Sequence, residues 1–328
     1  SRHASGFSSG YGSSDLDKQV ERMFCEIFER EVAVFYVGTG TAANALSMTA
    51  LSRPGGVFFA HRDAHMIEDE GGAVEYLSGG GRLSPVDGPS GRMTTENLEA
   101  AIGRYPPAFV HSGQPAAVSI TQASEIGTLY SADEIDAISS VASRHGLALH
   151  MDGARFANAL VALDISPAQM TWQRGVDIVS FGGTKNGCWC AEAVIFMNPD
   201  DARQFPFIRK RAAQLFSKSR FVAAQFEAYL RDDLWLQTAR HSNAMAKRLA
   251  SHISAASKAR LAWEPQANEV FPVVKTSEID RLKAEGAVFY PWNPPHGVAV
   301  DKDETLLRLV TSFATTESVV DRFGELLA

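Results

Sequence analysis

Two passages carry residue types that could act together on a ligand. In the first, residues 146–158, the apolar run 147–151 gives way to Asp152-Gly153-Ala154-Arg155 and then to an Ala/Phe/Leu pattern ending near Leu163. In the second, the apolar run 176–181 leads into Gly182-Gly183-Thr184-Lys185-Asn186-Gly187. An apolar run that breaks into a polar turn and then a helical pattern is how a buried parallel strand passes to its crossover helix. Ligands of open α/β sheets bind beyond the carboxyl ends of such strands, so Asp152, Arg155 and Lys185 are delivered to one rim. A lysine beside a pocket can form a Schiff base, and an aspartate can keep a pyridine nitrogen protonated. Singly, Asp152 and Arg155 read as an ion pair or helix cap, and Lys185 as a solvated loop residue. Together they point to pyridoxal 5'-phosphate, which needs both groups.

A third passage fits an anion. The apolar run 32–37 enters Gly38-Thr39-Gly40-Thr41-Ala42-Ala43-Asn44 at the start of a helix, where backbone N–H groups and the helix dipole favour a phosphate. The same residues have a rival reading. Gly38, Gly40 and Ala43 fit G-x-G-x-x-A, and Asp63 follows about twenty residues later, as in dinucleotide-binding folds. Alone, this stretch leaves a nicotinamide and a pyridoxal phosphate open; a dehydrogenase, however, has no need of the Asp152 and Lys185 arrangement. A nucleotide P-loop is excluded because its lysine follows a glycine directly, whereas Lys185 follows Thr184.

His61 and His65 stand at helical i, i+4 spacing among acidic residues, but His-Glu-x-x-His is not matched and no metal is expected. An imidazole at His65 could serve proton transfer, or lie on the surface. Residues 121–125, Thr-Gln-Ala-Ser-Glu, follow the strand pattern 115–120 and are pocket candidates by position. Arg209, Lys210, Arg211, Lys218 and Arg220 form the one basic cluster, too narrow for nucleic acid or membrane and readable as a solvated face.

The segments His150-Met-Asp-Gly-Ala-Arg-Phe-Ala-Asn158 and Thr184-Lys-Asn-Gly187 resemble the L-threonine aldolases, in the aminotransferase-like branch (fold type I) of pyridoxal phosphate enzymes. The low-specificity bacterial subgroup is the nearest likeness, through Ile120-Thr-Gln-Ala-Ser-Glu-Ile-Gly-Thr128 and Gln214-Leu-Phe-Ser-Lys-Ser-Arg-Phe221, and the resemblance covers nearly the whole chain. It implies retro-aldol cleavage of L-threonine, L-allo-threonine and related β-hydroxy-α-amino acids to glycine and an aldehyde. Lys185 would hold the cofactor as a Schiff base and Asp152 would keep its ring nitrogen protonated. Arg155 would orient the phenolic oxygen and the substrate carboxylate, and Thr39, Gly40 and Thr41 would hold the phosphate. The Ala64-His65 pair matches the family's stacking histidine, which would also assist in removing the β-hydroxyl proton. Arg308-Leu-Val-Thr311 matches an arginine that clamps the amino-acid carboxylate, and Tyr11 a tyrosine near the substrate. Lys218 and Arg220 would reach the phosphate across a subunit interface of a homotetramer, a dimer of dimers with shared active sites. Some family members place a second histidine where this chain has Glu125, so that histidine's role is not carried over. The family's further N-terminal segment, whose serine helps hold the carboxylate, is not in this sequence.

Other reactions on the same scaffold, β-elimination, transamination or a preference for phenylserine, are alternatives that products distinguish; a nicotinamide dehydrogenase and a silent binding protein are more remote ones. The 328 residues are 45% hydrophobic and 21% charged with net charge −7, which suits a soluble chain with a large core and small-molecule partners rather than nucleic acid. Three cysteines make no disulfide framework, and neither a membrane-length apolar run nor a signal-peptide pattern occurs, so a cytoplasmic protein is expected. The expected fold is α/β. A large aminotransferase-like domain with a mostly parallel central sheet spans residues 1–235, and a small α+β domain spans 236–328. Residues 1–14 read as an irregular lead-in, Ser131-Ala-Asp-Glu134 as a capping box, 221–254 as one long helical stretch, and 269–274, 287–292 and 306–313 as strands of the small domain.

Overall fold

The computed structural model describes residue 3, residues 5–295 and residues 297–328. Seven strands form the first sheet: β1 (Ala33–Val37), β2 (Gly56–His61), β3 (Arg82–Val86), β4 (Gln114–Thr121), β5 (Ala148–Gly153), β6 (Ile178–Gly182) and β7 (Glu192–Phe196). Their order is β1-β7-β6-β5-β4-β2-β3, parallel from β3 through β6, with β7 antiparallel to both its neighbours. The sheet is therefore mostly parallel, as expected. Strands β2, β5, β6 and β7 are buried almost throughout, which their near-continuous apolar runs require once helices cover both faces.

This order removes the dinucleotide reading. In that fold the acidic residue ends the strand beside the glycine-loop strand. Here β1 pairs only with β7, and β2 lies between β4 and β3, so Asp63 is carried away from the Gly38 loop.

The capping box forms as read: Ser131 and Glu134 cap the helix Ala132–Arg144, and Gly146 at φ +65° turns the chain into β5. The long helical stretch is instead two helices, Arg220–Leu230 and Leu234–Ala255, separated by Asp232 and Asp233 at φ 53° and 55°. Aspartate tolerates this left-handed conformation, so the break needs neither Gly nor Pro.

The second sheet is antiparallel, with order β11-β12-β10-β8 and β9 paired to β12. Its strands are β8 (Ala259–Leu261), β9 (Glu269–Val270), β10 (Pro272–Lys275), β11 (Tyr290–Pro291) and β12 (Glu304–Val310). It shares a core with the helices Leu234–Ala255 and Glu317–Leu327 through Leu249, Ile253, Val270, Val274, Leu307 and Val320. Expected strands 269–274 and 287–292 are thus shorter pieces.

Close packing at the ends of β5 and β6 fixes the rim on which the site is built. A Cβ added at Gly182 would lie 2.7 Å from the Ala154 carbonyl oxygen and 2.9 Å from its Cα, both backbone atoms. Gly182→Ala is therefore expected to cost about 1–3 kcal/mol and to lower the thermal midpoint by a few degrees, read by a melting curve.

Candidate active site

The segments after β1, β2, β4, β5 and β6 and the start of β7 converge on a cavity of ≈ 220 Å³ lined by Gly38 to Thr41, Asn44, His65, Glu125, Asp152, Ala154, Thr184, Lys185 and Glu192. At one end lies the first turn of the helix Gly40–Leu51, whose N-cap Thr39 accepts a hydrogen bond from the Ala42 N–H. The leading N–H groups of a helix have no partner within it, and a Cβ at Gly40 would meet nothing within 4 Å. This end is open to an anion.

At the other end, Asp152 is nearly sealed from solvent. Its Oδ1 accepts from the Ala154 N–H at 3.0 Å and its Oδ2 from Asn44 Nδ2 at 2.7 Å. Asn44 Nδ2 also donates to Glu70 Oε1 at 2.8 Å, and His65 Nδ1 lies 2.9 Å from the same oxygen. A carboxylate can only accept, so Nδ1 carries the proton and Nε2 is left to the cavity. A chain thus runs Asp152, Asn44, Glu70, His65. Below Asp152, His150 is enclosed between Ser119 and Ser180 Oγ at 2.8 and 2.9 Å, and burial holds it neutral with its pKa lowered to about 4.

The hydrogen bond that His65 donates to Glu70 raises the His65 pKa, against the opposing effect of burial, with Glu125 and Asp152 adding in the same direction. If neutral His65 accepts a proton, activity rises as pH passes upward through that raised pKa. Glu70→Gln removes the main cause of the rise. The acidic limb of the kcat/KM–pH profile is then expected to move to lower pH; an unmoved limb would show that His65 does not set it.

Lys185 sits in the short turn Thr184–Asn186 after β6, exposed at the cavity mouth. Beside it Glu192 on β7 is buried, and burial pushes its pKa up to about 7. Glu125 also lines the cavity and is pushed upward by burial. It is shared with a second cavity of ≈ 390 Å³ that includes Asp63, Glu68, Ile126 and Trp292. The other candidates in 121–125 serve the scaffold: Gln122 bonds Tyr130 and Ser124 bonds Thr128.

Arg155 and Arg308 lie outside the first cavity and meet at Glu269. Arg155 Nη2 is 3.2 Å from Glu269 Oε1, and Arg308 donates to the same oxygen from Nε at 3.0 Å and Nη2 at 2.6 Å. The Arg308 guanidinium also stacks 4.6 Å from the Trp292 ring centroid.

Besides these two arginines, three expected residues are not brought to the cavity. Tyr11 is exposed, with its N–H bonded to the Ser217 carbonyl and its ring beside Lys210. Lys218 is exposed, and Arg220 donates to the Gly6 carbonyl at 3.1 Å and packs over Phe221. The 214–219 segment does pass the cavity, with Gln214 Oε1 accepting from Gly38 N–H at 2.9 Å, but Lys218 and Arg220 are not among its lining residues. Conversely, Asn44, Glu70, Glu192 and Glu269 are gained. For Asn44, Glu192 and Glu269 the sequence signal is a polar residue in an apolar setting, as in Ala191-Glu-Ala-Val-Ile-Phe196 and Asn268-Glu-Val-Phe271; Glu70, in Glu68-Asp-Glu-Gly-Gly72, has no such mark.

The residues present fit pyridoxal phosphate: an anion end with free helix N–H groups, a buried carboxylate opposite, and a lysine between them at the mouth. A seven-stranded sheet with one antiparallel member and this rim is the architecture of the fold type I pyridoxal phosphate enzymes. The chain belongs to the beta-eliminating lyase family, whose profile matches residues 6–277. It is 39% identical over 286 residues to a low specificity L-threonine aldolase of Pseudomonas aeruginosa, covering 87% of this chain and 82% of that one. A protein of the same description from another Pseudomonas is 37% identical over the same shares. Among solved structures, the Leishmania major threonine aldolase superposes with a TM-score of 0.92 at 29% identity, covering 99% of this chain and 92% of that one.

Proposed function

We propose that this chain cleaves L-threonine, L-allo-threonine and related β-hydroxy-α-amino acids to glycine and an aldehyde, using pyridoxal 5'-phosphate. The observation that carries this reading is Asp152 and Lys185 facing one cavity whose far end is an anion-binding helix terminus. The relatives named above support the choice of reaction.

When bound, the cofactor supplies a sink for the electron pair released as the Cα–Cβ bond breaks. Lys185 would hold and release it, and Asp152, which accepts hydrogen bonds from Asn44 Nδ2 and the Ala154 N–H, would serve its ring nitrogen. Thr39, Gly40 and Thr41 would hold the phosphate. Arg308, with Arg155, takes the substrate carboxylate, which decides the bond at Cα that is aligned to break. His65, through Nε2, draws the proton from the β-hydroxyl, directly or through water, as the aldehyde leaves, and a proton returned to Cα completes glycine.

The protein acts in the cytoplasm as a homotetramer, a dimer of dimers, with Lys218 or Arg220 of one subunit serving the phosphate of its neighbour. That arrangement accounts for basic side chains that do not line the cavity of their own subunit. Among the described residues no helix is long and apolar enough to cross a membrane.

Product analysis tests the reaction. Glycine and aldehyde in equal amounts support it; ammonia and a 2-oxo acid from the same substrate would replace it with β-elimination.

A further inference from the structure

Among the described residues, Glu269 is the one group that touches both arginines of the site. Its side chain is fully buried, and its Oε1 receives Arg308 Nε, Arg308 Nη2 and Arg155 Nη2, while Oε2 has no hydrogen-bond partner among the described residues. The two arginines come from different sheets: Arg155 follows β5, and Arg308 lies on β12. Glu269 pairs with Val310 across β9 and β12, which places it diagonally from Arg308 on the same face of the small sheet. Gly127, at φ +72°, lets the loop after β4 close onto this point; a Cβ there would stand 3.0 Å from Glu269 Cβ.

The carboxylate approaches from the protein side and takes the Nε–Nη2 edge of Arg308. Trp292 covers the face of the same guanidinium. Glu269 engages Nε and Nη2, which leaves Nη1 of Arg308 as the donor available to a ligand. Two positive charges and one negative leave a single positive charge, the complement of one carboxylate.

We propose that Glu269 is the positioning residue for recognition of the substrate α-carboxylate: one buried oxygen fixes Arg155 and Arg308 to each other, one arginine from each sheet. The inference rests on the function proposed above and adds to it the group that sets the arginines in place. Loss of the Glu269 charge would by itself strengthen the pull on an incoming carboxylate. It would also leave two guanidinium groups, held within reach of one oxygen atom, to repel each other in a buried setting. The forks then separate and the fixed edge is lost, which is the larger effect because a fork binds through its geometry.

The test uses the holo-protein and its visible absorption change on titration with glycine, which bears the carboxylate, and with methylamine, which does not. Glu269→Gln is expected to weaken glycine about tenfold or more, the scale of a charge-assisted hydrogen bond, and to leave methylamine unchanged. Should that variant not fold, Glu269→Asp, which keeps the charge but withdraws it by one methylene, is expected to show the same selective weakening. Glycine binding unchanged or tightened overturns the proposal. So does equal weakening of both amines, the mark of a merely structural role. A wild-type holo-protein that responds to neither amine refutes the proposed function itself, and this inference with it.

Discussion

Lys185→Ala is expected to lower turnover by about four orders of magnitude or more, because no other amine faces the cavity to take the part of both holder and proton carrier. The fold should survive. Lys185 is exposed in a three-residue turn, so its truncation is expected to change stability by only about 0.5 kcal/mol or less. The variant should therefore melt like the wild type and lose the visible absorption of a covalently held cofactor. Turnover within tenfold of wild type would remove Lys185 from the mechanism.

The second large effect is expected from Asp152→Asn, at about 10²- to 10³-fold in kcat. Part of the loss is the missing charge opposite the ring nitrogen. The rest follows from the hydrogen bonds. Asp152 accepts at both oxygens, from Ala154 N–H and from Asn44 Nδ2. An asparagine that keeps the first contact presents an NH2 group to the NH2 of Asn44, donor against donor. Asn44 relieves this by turning its amide, which takes its donor away from Glu70 as well. The substitution is thus expected to reach His65, three contacts along the chain through Asn44 and Glu70. Its signature is a fall in kcat together with a displaced acidic limb of the pH profile, measured from aldehyde release; a loss of kcat with an unmoved limb would uncouple Asp152 from His65.

How much of this was legible in the sequence depended on distance along the chain. Asp152, Lys185 and Thr39 to Thr41 each stand within a few residues of the strand that delivers them, so an apolar run followed by polar and glycine residues was enough to place them. His65, which follows β2, was singled out as a histidine among acids and given its role by the likeness of the Ala64-His65 pair. The partners that tune these groups were not legible, because each contact joins distant segments: Asn44 to Asp152, Glu70 to His65 and Asn44, and Glu269 to both arginines. Glu269 is marked only by a lone charge in an apolar stretch and Asn44 by a lone amide, while Glu70 is one acid among several. Arg308 was named from its motif, yet its dependence on Glu269 required the pairing of β9 with β12.

The fold shows the same division. Parallel strands with long apolar runs were visible, whereas β3, an edge strand containing Pro85 with alternating exposure, has no such run. The two-helix break at Asp232 and Asp233 was hidden because aspartate adopts a left-handed conformation without announcing it. Tyr11, Lys218 and Arg220 were chosen by motif likeness alone, and the subunit's own cavity does not include them.

The most direct test of the account is to supply the purified protein with pyridoxal phosphate and L-threonine and to follow acetaldehyde through a coupled NADH-consuming reductase, with glycine measured in the same sample. The account predicts acetaldehyde and glycine in equal amounts, formed only when the cofactor is present. A holo-protein that releases ammonia and a 2-oxo acid from L-threonine, or that yields no aldehyde from it or from any β-hydroxy amino acid offered, would contradict it.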